Sequence, residues 1–211
     1  MQNRLRILQS DKSLFEMSVD FHNRYTAYTI AMLMFSTGYR CIRDPLPEWR
    51  QVSLKRGIIV IADKTDDVQS HARFLPLPAI VIQQLHHYQR HREAILSRLS
   101  LFFQQQWATP FFFLNAYDAP REATPKVLEE HLAWPGSPPL NINRHFLHTY
   151  LKESGCSSEI VDAFMGHWDA GQEPWAEFST FCPNSYREQI GSAIETMMFD
   201  QGWKAIEGAV L

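Results

Sequence analysis

Apolar residues recur along this chain in two periods, one helical and one extended. The stretch SLFEMSVDFHNRYTAYTIAMLMFST, residues 13–37, reads as helix, and its second part is apolar enough to be buried. Gly38 is the stop signal. The two prolines of DPLPEWRQV bar continuation of that helix, so a loop or strand entry follows. GIIVIADK and ARFLPLP are short extended runs on either side of polar TDDVQSH. They predict an antiparallel hairpin or small sheet with Lys64 at the mouth of its loop.

From Pro78 to about Leu101 the helical period returns, with Ile82, Leu85, Tyr88 and Ile95 inward and a histidine-rich outer face. FFQQQWATPFFFLN reads as core. Residues 117–140 hold five prolines and read as a connecting segment around one short helix. Two further stripes follow: Phe146, Leu147, Tyr150 and Leu151, then Ile160, Val161, Phe164 and Met165. Gly155 separates them as a helix end, and Ser157 or Ser158 caps the next helix. HWDAGQEPWAEFSTFCPNSYREQ reads as irregular, leading to a last helix from about Asn184 to Trp203. The expected class is mainly α with a small antiparallel β-sheet, an α+β arrangement without internal repeats.

Composition changes this picture little. Among 211 residues, 45% are hydrophobic and 20% charged, as expected for a folded globular chain. No apolar run reaches the ~18 residues that cross a bilayer, and MQNRLRILQSDKS lacks the apolar core of a signal peptide. A cytoplasmic protein with no membrane partner is expected. Cys41, Cys156 and Cys182 show no paired spacing, which predicts buried thiols rather than a zinc site or disulfides. Charge is more informative. Residues 1–100 hold 14 basic against 9 acidic side chains, a balance of +5; residues 101–211 hold 6 against 14, a balance of −8. A polyanion would therefore meet the first half.

Four polar groups stand on separate predicted elements: TGYR at 37–40, DKT at 63–65, NINRH at 141–145 and MGHW at 165–168. Their order resembles the catalytic domain of the tyrosine recombinase (phage integrase) superfamily over roughly residues 20–200. Members carry an arginine after a helix-ending T-G-x, a hairpin lysine, an H-x-x-R-H box, and a Gly-His about twenty residues on. The resemblance implies residues 1–19 as a lead-in, 20–203 as an integrase-like catalytic domain, and 204–211 as a tail. It implies that Arg40 and Arg144 clamp the scissile phosphate with paired, charge-assisted hydrogen bonds. Lys64 would protonate the departing 5′-oxygen, and His167 would add a hydrogen bond. A tyrosine would form a covalent 3′-phosphotyrosine that conserves bond energy for religation. No metal or nucleotide cofactor is implied. The implied partners are double-stranded DNA, further copies of the chain in a homotetramer on DNA, and other recombinase subunits, at the nucleoid of a bacterial cytoplasm. At most about twenty residues precede the pattern. The separate N-terminal domain with which these recombinases grip DNA is therefore expected to be missing, and DNA binding by this chain to be weak.

Three positions depart from the family pattern. Asn141 stands where the box has its first histidine, and an amide cannot take a proton near neutral pH, so it cannot be a general base. Arg43 stands where a carboxylate is usual, with Asp44 next to orient Arg40. Ala176 occupies the usual tyrosine position, and the first tyrosine after His167 is Tyr186. Tyr186 is either the nucleophile or a packing residue of the last helix. Tyr150 lies within an apolar stripe, and Trp168 either covers the site or fills core. The alternative function is a catalytically inactive member of the same fold that binds DNA or another recombinase. A third reading, a helical metalloenzyme built on His86, His87 and His91, lacks a carboxylate base.

Overall fold

Gly38 takes φ of +61°, a conformation strained for other residues, and so ends the first helix, α1, Val19–Thr37. The computed structural model describes residues 19–41, 46–62, 65–66, 69–70, 72–99, 109–117, 119–132, 139–168, 173–174, 177 and 179–208. Helix α1 is apolar on nearly every side and correspondingly buried on nearly every side, as a central helix must be. A 3₁₀ turn, Trp49–Gln51, leads into β1, Val52–Ser53, and β2, Ile58–Ile61. A short hairpin of β3, Thr65–Asp66, and β4, Gln69–Ser70, precedes β5, Arg73–Pro76. Strands β1, β2 and β5 form an antiparallel sheet in that order, with Ile59 opposite Leu75 and Ile61 opposite Arg73.

Helix α2 spans Ala79–Arg98. A second hairpin pairs β6, Phe112–Leu114, within the aromatic stretch read as core, with β7, Pro120–Glu122, within the segment read as connecting. Helix α3 follows at Pro125–His131, capped by the Thr124 side chain, and α4 and α5 span Ile142–Glu153 and Ser158–Met165. Helix α6, Pro183–Asp200, completes a mainly α chain with a small antiparallel sheet. Helix α1 packs against α2, α4 and β6, and α4 against α5 and α6. Lys204 and Ile206, in the segment read as a tail, accept hydrogen bonds from the Tyr28 and Tyr25 hydroxyls, each at 2.7 Å. Among the described residues, no helix is long and apolar enough to cross a membrane.

Two expectations are corrected. His87 and His91 face inward on α2, in phase with Gln84, Leu85, Tyr88 and Ile95; only the polarity of imidazole suggested an outer face. Cys41 is buried and Cys156 half-buried, but Cys182 is exposed because it sits at the N-terminal cap of α6.

The buried histidines have a fixed proton arrangement. His22 Nε2 donates to the Phe112 carbonyl at 3.0 Å, so His22 Nδ1 accepts from His91 Nε2 at 3.0 Å. Burial pushes the His22 pKa down to about 4 from 6.5, with nearby His131 acting in the same direction against the hydrogen bond to Phe112. The folded state therefore binds this proton less readily than the unfolded chain. The His22 contribution to stability is complete above pH 6.5 and is lost as pH falls from 6.5 towards 4, at a limiting slope of about 1.4 kcal/mol per pH unit. Urea titrations across that window will show the loss, and His22→Asn will flatten it.

Candidate functional site

The turn after α1 places the first arginine. Thr37 Oγ1 donates to the Leu33 carbonyl at 2.6 Å and accepts from the Tyr39 amide at 3.3 Å, which folds the chain back around Gly38. Tyr39 is buried and Arg40 half-buried. The first turn of α4 holds this turn from the other side. Asn143 Nδ2 donates to the carbonyls of Met34 at 2.7 Å and Tyr39 at 3.2 Å, and Arg144 Nη1 donates to the Gly38 carbonyl at 3.1 Å.

Arg144 also reaches the far end of the α4–α5 hairpin. Gly155, at φ +79°, ends α4, and Ser157, the nearer of the two candidate caps, accepts from the Ile160 amide. Gly166, at φ +67°, ends α5, and the His167 amide returns to the Asp162 carbonyl at 2.9 Å. Arg144 Nη2 donates to the Met165 carbonyl and, at 3.2 Å, to His167 Nε2. Only 7% of Arg144 is exposed. Its charge is accommodated because it sits where the C-terminal carbonyls of α1 and α5 meet, the negative ends of two helix dipoles. Since a guanidinium only donates, His167 Nε2 is the acceptor and the ring proton of a neutral His167 is on Nδ1, which faces Asp162 Oδ1 at 4.0 Å.

A second buried arginine, which sequence reasoning missed, supports the same helix end. Arg73 is 1% exposed, and its Nη1 donates to the Phe164 carbonyl at 2.6 Å. Alternation along β5 carried the signal, since Arg73 shares the inward face with Leu75 while Phe74 points out. A Cβ on Gly166 would lie 2.7 Å from Arg73 Cδ. Gly166→Ala combines that clash with a left-handed backbone and will lower stability by about 2 kcal/mol or more, read by thermal denaturation. Asn143 was also missed, though it lies inside the NINRH group.

The remaining predicted residues lie on or beside α4, α5 and α6, or outside the described residues. Tyr186, in the first turn of α6, is 3% exposed and donates its hydroxyl to the Phe74 carbonyl at 2.8 Å. Burial holds its pKa far above the usual phenol value, opposed by the charge of Arg73. Asn141 is half-buried at the start of α4, with Nδ2 3.5 Å from His145 Nε2. Tyr150 and Trp168 are half-buried. Lys64, Arg43, Asp44 and Ala176 lie outside the described residues. The structure thus brings Arg144, His167 and the turn carrying Arg40 together, and has the Tyr186 hydroxyl engaged by β5.

The histidines of α2 do not gather as a metal centre. His86 is exposed, His87 lies 3.8 Å from Glu207, and His91 is bonded to His22. Comparisons with models of protein families, with curated proteins and with solved structures gave no match to this chain.

Proposed function

We propose that the chain is a DNA strand transferase of the tyrosine recombinase type, acting on a phosphodiester through a covalent phosphotyrosine. The observation that carries this reading is the position of Arg144. One side chain bonds the glycine two residues before Arg40 and the imidazole of His167. The TGYR turn, the NINRH group and the GH pair, separated in sequence, therefore meet at one guanidinium.

The chemistry follows from charge. Nucleophilic attack on a phosphodiester concentrates negative charge on the non-bridging oxygens, where fixed guanidinium donors stabilise it. In this proposal Arg40 and Arg144 bind those oxygens, and an incoming phosphate takes the Arg144 donor that His167 receives here. Released from Arg144, His167 turns a protonated Nε2 towards the same phosphate, with Asp162 stabilising its charge. The Tyr186 hydroxyl gives up its proton to solvent as its oxygen forms a bond to phosphorus, the bond to the 5′-oxygen breaks, and Lys64 protonates the leaving oxygen. Asn141 contributes a hydrogen bond only. Tyr186 must first exchange the Phe74 carbonyl for the DNA, so release of the start of α6 belongs to the reaction. The assembly is a homotetramer on two duplexes.

The buried, engaged Tyr186 hydroxyl favours one second reading, an inactive accessory protein that binds DNA or a catalytic recombinase. Nicked suicide duplexes drawn from a randomised library separate the two. After cleavage the short strand diffuses away, and the proposal expects a protein–DNA adduct that survives denaturation. DNA binding without any adduct would leave the accessory reading.

A further inference from the structure

Helices α4 and α5 bring two imidazoles and a carboxylate to one spot on the surface. His148 lies one turn after Arg144 on α4, Asp162 lies near the end of α5, and His167 follows the cap of that helix. One ligand atom from each lies within 4.8 Å of the other two, a group without parallel among the described residues. The His148 and His167 rings are 6.0 Å apart. Asp162 and His167 are each a little over 40% exposed, which gives an ion an approach from solvent. The spot is braced rather than loose, because the His167 amide is bonded to the Asp162 carbonyl at 2.9 Å.

We propose that this group is a regulatory binding site for zinc or a similar borderline divalent transition metal. Two imidazole nitrogens and one carboxylate oxygen are a zinc donor set, and three protein ligands leave a fourth position for water. Tetrahedral binding needs ligand atoms roughly 3.3 Å apart, a closure within reach of side-chain rotation. The metal and Arg144 exclude one another at His167. Binding through Nδ1 moves the ring proton to Nε2, where it faces the Arg144 donor, so the contact between them must break. Zinc then holds His167 away from the phosphate. This consequence rests on the strand-transfer reading; the binding itself does not.

The test uses the full chain and zinc alone, in competition with a chromophoric chelator. The expected result is one zinc per chain, weakened at least about tenfold by His148→Gln and by Asp162→Asn. Cys182→Ser, which removes an exposed competing thiol, leaves binding unchanged. Cobalt in place of zinc gives the visible absorption of a four-coordinate site. Zinc slows adduct formation by the unaltered chain and not by His148→Gln. Absence of stoichiometric zinc, or equal affinity in the His148 and Asp162 variants, overturns the site. Adduct formation that zinc leaves unslowed overturns its regulatory role. Zinc binding with no adduct from any DNA overturns strand transfer and leaves the metal site standing.

Discussion

If the proposed strand transfer holds, Tyr186→Phe is expected to abolish the covalent adduct and leave the fold in place. The substitution removes one hydroxyl whose hydrogen bond to the Phe74 carbonyl is worth about 1 kcal/mol. The ring keeps its place against Phe181 at 5.4 Å. The expected effect of losing the proposed nucleophile is far larger, at least about a thousandfold in rate. A denaturing gel reads the adduct, and a melting curve reads the fold. An adduct of undiminished yield would remove Tyr186 from the reaction and return it to packing.

Arg144→Ala is expected to damage both the fold and the proposed chemistry, which separates it from Tyr186→Phe. Its guanidinium serves the carbonyls of Gly38 and Met165 inside the protein, and each charge-assisted bond contributes about 1.5–3 kcal/mol. The expected loss of stability is about 3 kcal/mol or more, read by urea denaturation. Arg144→Lys keeps the charge but not the fork, so it cannot span both helix ends, and its stability falls between the two. The proposed adduct is expected to be lost in both. A stable Arg144→Ala chain would mean that the two helix ends are joined by other contacts.

Local patterns made most of the fold legible. The helical periods, Gly38, Gly155 and the Ser157 cap all carry their signal within a few residues, and the antiparallel pairing of GIIVIADK with ARFLPLP follows from adjacency. The β6–β7 hairpin was not legible because Phe111–Phe113 are buried throughout and show no alternation. The inward face of α2 was misjudged for a related reason. His22 and His91 satisfy each other across 69 positions of sequence, and nothing within α2 announces that partner. At the candidate site, spacing brought out Arg144 and His167, but not that Arg144 would be buried against backbone carbonyls. That requirement arises only when the ends of α1 and α5 come together. Arg73 enters the same way, as a cation demanded by a helix terminus distant in sequence.

The proposed strand transfer requires Arg40 and Arg144 to serve one phosphate. A crystal structure of the chain on a nicked half-site duplex measures this directly. The expected result is a single phosphate with non-bridging oxygens about 3 Å from nitrogens of both guanidinium groups and His167 turned from Arg144 towards it. A duplex bound elsewhere, with Arg144 still holding His167, would contradict it.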